Sequence, residues 1–124
     1  MKPLAVAIVD TSGSFRAVMI QAIEGQLRNY MRTFDVRVLE HDIQVKANYQ
    51  FSGNLELKNP DGGTCIKEAL MEAMMLGPAI ILIFTDGLLR VPKVGPDCPV
   101  FWYMIGTWVC PAKWGTALRE YVWA

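Results

Sequence analysis

Two apolar runs, each closed by an aspartate, constrain this chain more than any other feature. Leu4-Ala5-Val6-Ala7-Ile8-Val9 leads into Asp10, and Ala79-Ile80-Ile81-Leu82-Ile83-Phe84-Thr85 leads into Asp86. Neither run alternates apolar with polar, so neither suits a strand with one wet face. Continuous runs rich in β-branched residues fit strands covered on both sides, the central strands of a parallel sheet. Parallel strands need long crossovers, and helical patterns supply them. From Ser14 to about Met31 the apolar residues Phe15, Val18, Met19, Ala22, Ile23, Leu27, Tyr30 and Met31 recur at helical spacing, with Arg16, Gln21, Glu24 and Arg28 opposite. A second helix is expected from about Cys65 to Leu76, with Ile66, Ala69, Leu70, Ala73 and Met74 on one face and Gly77-Pro78 as its stop.

Phe34 to Leu39 alternates as a strand, and Glu40-His41-Asp42 reads as a tight turn. Ile43, Val45, Ala47 and Tyr49 then alternate again, and strands joined so closely run antiparallel. Pro99 to Ile105 reads as a fifth strand, and Thr116 to Val122 as a sixth strand or a short terminal helix. The order predicts an α/β domain with a mostly parallel central sheet and one antiparallel strand at an edge. With 124 residues and 52% hydrophobic content, residues 1–124 are expected to form a single domain with a core needing no disulfides.

Charge narrows the function classes. The formal net charge is zero and no basic stripe is present, so nucleic acid is not an expected partner. Arg28, Arg32, Lys113 and Arg119 are assigned to solvated faces. Three cysteines, Cys65, Cys98 and Cys110, lack C-x-x-C spacing and suit reduced thiols in a cytoplasmic protein. Zinc is disfavoured, because His41 is the only histidine and no thiol pair has ligand spacing. No run approaches a membrane span and the amino terminus is too short for a signal segment, so no membrane role is expected.

Ligands of open parallel sheets bind outside the carboxyl ends of the strands, where Asp10 and Asp86 fall. Ser12 and Ser14 follow Asp10 at alternate positions. The long polar loop from Phe51 to Gly63, extended at about 3.3 Å per residue, reaches roughly 40 Å, ample to climb one sheet height. It would deliver Gly62-Gly63-Thr64 to the same edge, the glycines letting the backbone pass close to an ion. Asp10, Ser12, Ser14, Thr64 and Asp86 offer oxygen alone, the donor set of a small hard cation such as Mg²⁺ or Mn²⁺. Plainer roles stand beside this one. Asp10, Ser12 and Thr64 are favoured helix caps, and Asp86-Gly87 suits a turn.

The order D-x-S-x-S, then T, then D resembles the metal-ion-dependent adhesion site (MIDAS) of von Willebrand factor A-type (VWA) domains. The resemblance implies a compact Rossmann-like fold with helices on both faces of the sheet. It implies that Ser12, Ser14 and Thr64 ligate Mg²⁺ or Mn²⁺ by hydroxyl oxygens, with Asp10 and Asp86 holding it directly or through water. It also implies a protein partner whose acidic residue completes the coordination. Val36-Arg37-Val38-Leu39-Glu40-His41-Asp42, Gly62-Gly63-Thr64, Ile83-Phe84-Thr85-Asp86-Gly87, Pro99-Val100-Phe101-Trp102 and Pro111-Ala112-Lys113-Trp114-Gly115 look like the carboxyl-terminal VWA-like domain of bacterial metallopeptidase-like proteins. The peptidase motif of that family lies in a preceding domain, so no peptidase activity carries over. Two departures stand out. Asn59-Pro60-Asp61 precedes the glycines and adds a carboxylate, as a neighbour of the site or as part of a turn. Gly87 to Asp97, with Pro92 and Pro96, is too short and proline-rich for the helix that larger VWA domains carry there.

The expected function is a non-catalytic, metal-dependent protein-binding module; family analogy suggests a MoxR-type AAA+ ATPase as partner. The alternatives are a Mg²⁺-dependent hydrolase or phosphotransferase using Asp10, and a metal-independent scaffold binding through its tryptophan-rich carboxyl region. Among the tryptophans, Trp102 is expected in the core, and Trp108 and Trp114 in a partner-facing patch. Met71, Met74 and Met75 are expected in the core and along the helix face, and His41 and Asp42 in the hairpin turn.

Overall fold

The computed structural model describes residues 2–10, 17–41, 45–56, 66–85, 90–104, 110 and 112–119, and of residues 10, 17–19, 41, 45–46 and 119 the backbone alone. In chain order the elements are β1 (Leu4–Asp10), α1 (Ala17–Tyr30), β2 (Asp35–His41), β3 (Val45–Gln50), α2 (Lys67–Met75), β4 (Ile80–Thr85), β5 (Val100–Met104) and β6 (Thr116–Arg119). The strands form one sheet in the order β3-β2-β1-β4-β5-β6. Every neighbouring pair is parallel except β2 and β3, the antiparallel edge. The fold is therefore the Rossmann-like α/β class that the two apolar runs imply.

Alternate residues of the central strand serve two cores. Ala5, Ala7 and Val9 pack with Ile23 and Leu27 of α1, while Val6 and Ile8 pack with Ile66, Ala69, Leu70 and Ala73 of α2. Ala5 through Val9 are all fully buried, which is why the sequence there is apolar at every position. Both helices run back from the carboxyl edge of the sheet to its amino edge. Ala79 N–H donates to Leu4 O at 2.8 Å just after α2, and Asp35 N–H to Pro3 O at 2.9 Å just after α1. Helix α2 ends as Gly77-Pro78 predicts: Gly77 takes φ 68° and its N–H donates to Met74 O at 3.1 Å.

Two expectations need correcting, the turn at Glu40-His41 and the buried methionines, while the choice left open at the sixth element is decided and Arg28 gains a partner. Glu40 and His41 belong to β2, with a register shift between them, and Glu40 is fully buried rather than in a turn. Its carboxylate finds protein donors, so it has no need of water. The sixth element is a strand, paired parallel to β5. Met74 is not on the buried face of α2, nor are Met71 and Met75, which leave the helix toward solvent. Arg28 is exposed but tied to the loop after β3, as described below. The described residues from 90 to 99 contain no helix, in keeping with Pro92 and Pro96.

Candidate functional site

The carboxyl edge of the sheet is where the elements flanking the five sequence-selected residues end. Strand β1 closes at Asp10, and Ser12 and Ser14 lie in the segment joining it to α1. Strand β4, its direct neighbour, is parallel to it with Val9 level with Phe84, and closes at Thr85, to which Asp86 is joined. The structure thus brings together the backbone of Asp10 and the end of the strand that precedes Asp86. Ser12, Ser14, Thr64 and Asp86 lie outside the described residues, as do Asp42, Asp61, Cys65, Trp108 and Trp123. Among the described residues no cluster of three or more His, Cys, Asp or Glu side chains is placed to hold a metal ion.

The start of helix α2 bears on Thr64. Its N-cap position is Ile66, which makes no side-chain cap bond. The helix is fixed there instead by Ile66 N–H donating to Arg90 O at 3.3 Å, across to the segment after β4. The element following the threonine loop and the chain following β4 therefore meet at this edge.

The path of the loop toward Thr64 is set by side chains that sequence reading missed. Strand β3 descends to the amino edge, where Phe51 N–H donates to Val36 O at 2.8 Å. The chain then climbs beside α1. Arg28 Nε donates to Gly53 O at 3.0 Å, Leu55 N–H to Glu24 Oε2 at 2.7 Å, and Glu56 N–H to Glu40 Oε2 at 3.1 Å. Since Glu40 is level with Val9 in the sheet and its carboxylate takes the Glu56 N–H, the loop has turned back toward the carboxyl edge by Glu56. Phe51 and Leu55 are buried against the α1 side of the core as it climbs. The Tyr49 hydroxyl donates to Glu40 Oε2 and accepts from Glu56 N–H at 2.9 Å. Burial, and next the hydrogen bond to the Glu40 carboxylate, push the Tyr49 phenol well above its ordinary pKa, so it stays neutral.

Signals for this strap were present. Glu40 shares the parity of Val36 and Val38, and alternation alone puts it on the buried α1 face.

Two tryptophans fall among the described residues with their surroundings defined. Trp102 is fully buried, as expected. Trp114 is half-buried, and Trp108, expected beside it in a partner-facing patch, lies outside the described residues. Trp114 Nε1 donates to Pro92 O at 2.9 Å, and the Trp114 carbonyl accepts from Trp102 Nε1 at 3.1 Å. Cys98 and Cys110 are free thiols packed at the margin of the α2-side core. Burial pushes the Cys98 thiol up, which disfavours its thiolate form. No helix among the described residues is long and apolar enough to cross a membrane.

Comparison with functionally curated proteins finds no match to this chain. A family profile described as VWA-like domain (DUF2201) matches residues 4–119, from the first residue of β1 to the last of β6. With both ends of that match falling on the outer limits of the sheet, the chain belongs to the VWA-like domain family.

Proposed function

We propose that this chain is a non-catalytic protein-binding module whose Asp10, Ser12, Ser14, Thr64 and Asp86 hold Mg²⁺ or Mn²⁺ at the carboxyl edge of the sheet. The observation that carries the reading is the adjacency of β1 and β4: two parallel strands in register, the first ending at Asp10 and the second one residue before Asp86. The climb of the 51–56 segment to the level of Glu40, and a helix α2 whose cap falls after Thr64, support it.

The donor set fits the ion. Two carboxylates balance a divalent charge, and hydroxyl oxygens complete a hard, oxygen-only sphere without adding charge. A cation bound in this way supplies an electrophilic anchor for a carboxylate oxygen from a partner. The chain's own residues hold that anchor, while the sheet beneath them excludes water from one side. The partner is a protein presenting aspartate or glutamate, and by family analogy a MoxR-type AAA+ ATPase in the cytoplasm.

Calorimetric titration with Mg²⁺ and Mn²⁺ tests this. Asp10→Ala and Ser12→Ala should each lose at least tenfold in affinity, with circular dichroism and melting unchanged. Equal affinity in wild type and both variants overturns the reading. Mg²⁺-dependent phosphatase or ATPase turnover that disappears in Asp10→Asn overturns its non-catalytic part.

A further inference from the structure

Three of the four large apolar side chains that the described residues leave exposed are methionines: Met71 at 60%, Met74 at 38% and Met75 at 87%, with Val94 the fourth. They are neighbours rather than scattered. Helix α2 carries the three at positions i, i+3 and i+4, and all four residues line one groove of about 440 Å³. Leucine would serve the helix as well, since the two residues are alike in helix propensity and exchange at little cost in packing. What methionine adds is a thioether sulfur, which a peroxide oxidises without any prior loss of a proton.

Burial separates these sulfurs from the core. Met104, on β5, is 2% exposed and packs within the α2-side core. Helix α2 reaches that same core through its buried residues Ala69, Leu70 and Ala73. An oxygen added to Met104 would be a polar atom in an apolar interior, whereas one added to Met71 or Met75 meets water. Lys67 stands one turn before Met71 and lines the same groove, so its side chain supplies a donor for an oxygen on that sulfur. Oxidation on α2 therefore leaves the packing of the helix untouched.

We infer that Met71, Met74 and Met75 form a peroxide-sensitive modification site that turns this face of the molecule from apolar to polar while the fold stays intact. In each step the sulfur lone pair attacks one oxygen of a hydroperoxide. The S–O bond forms as the O–O bond breaks. The departing oxygen carries off the proton of the transferred one and leaves as water or an alcohol. Sulfur gives up two electrons and the peroxide takes them. The product sulfoxide is polar, and methionine sulfoxide reductases return it to the thioether. One reagent thus removes three of the four exposed large apolar side chains, and one class of enzyme restores them. The site is independent of the proposed metal centre.

Stepped doses of hydrogen peroxide test this on the full chain, at about pH 5 to hold thiols protonated and with EDTA to remove trace iron. Peptide-resolved mass spectrometry should find Met75 and Met71 oxidised first and Met74 next. Met104 should react about tenfold or more slowly than Met75, because it is reached only through unfolding. An anilinonaphthalene sulfonate dye, which reports exposed apolar surface, should lose most of its bound fluorescence over the same doses. Circular dichroism and melting temperature should hold. Treatment with both reductase types, one for each sulfoxide epimer, should restore the dye signal. The triple variant Met71→Leu, Met74→Leu and Met75→Leu should bind dye and ignore peroxide. Met71→Gln with Met75→Gln should bind little dye before any peroxide is added. A reduced chain that binds no dye, equal oxidation of Met104 and Met75, dye binding unchanged by peroxide, or melting that falls in step with oxidation overturns the inference. So does a peroxide response that persists in the leucine variant.

Discussion

Glu40 brings a carboxylate into the α1-side core, where the Tyr49 hydroxyl and the Glu56 N–H converge on one of its oxygens. Removing it would take the acceptor from the Tyr49 hydroxyl, at roughly 1–3 kcal/mol, while the Glu56 N–H keeps the Tyr49 oxygen as its acceptor, so Glu40→Ala should lower stability in denaturant titration. Glu40→Gln keeps an acceptor and should lose less. Tyr49 gives the pair a pH signature. Its folded-state pKa is raised above the ordinary value of about 10, so the unfolded chain gives up its phenolic proton first. The stabilisation is complete below about pH 10 and declines as pH rises beyond it. Urea midpoints of wild type should therefore fall more steeply above pH 10 than those of Tyr49→Phe; parallel slopes would overturn the assignment. The inward parity of Glu40 was legible in Val36-Arg37-Val38-Leu39-Glu40, but its partners were not. Tyr49 and Glu56 lie on a different strand and a loop, and the turn-like chemistry of Glu40-His41-Asp42 offered a competing local explanation.

The segment from Pro92 to Asp97 behaves as an element without being a helix or a strand. Two prolines exclude a helix, and this much was readable. Its attachment was not, because the indole that holds it arrives from Trp114, far along the chain. Gly95 is the point of closest approach. With ring atoms of Trp114 at 2.4, 2.5 and 2.7 Å from a Cβ at that position, Gly95→Ala must displace the indole. The expected cost is about 1–3 kcal/mol, seen as a lowered melting temperature together with a changed tryptophan emission. An unaffected variant would mean the indole does not clamp this segment. Helix α2 shows the complementary limit of pattern reading. Ile66, Ala69, Leu70 and Ala73 are buried as their spacing predicts, whereas Met74 shares that spacing yet is partly exposed. Periodicity counts which residues can face inward; it does not reveal that, among the described residues, no helix lies alongside to cover the last of them.

At the level of the whole molecule, burial is concentrated on the strands that end beside the candidate metal site. Strand β1 sits between β2 and β4, and both faces of β1 and β4 are covered. Their amides should exchange with solvent only through global unfolding, while those of the edge strand β6 should exchange through local opening. Hydrogen exchange measured by mass spectrometry checks this, and faster exchange in β1 than in β6 would contradict it. The class of sheet and its antiparallel edge were legible because continuous and alternating apolar patterns report burial on two faces or one. The five proposed oxygen ligands were legible as a spaced set of residue types in the sequence around the ends of two apolar runs. The strap leading to one of them was not, for its hydrogen bonds join α1, β2 and the loop across long stretches of chain. That strap has a thermodynamic consequence for any ligand at the rim. Residues 51–56 surrender their conformational freedom when the chain folds, held by Arg28, Glu24 and Glu40. Their ordering is thus charged to folding rather than to association, and affinity at the rim carries no entropic tax for that stretch.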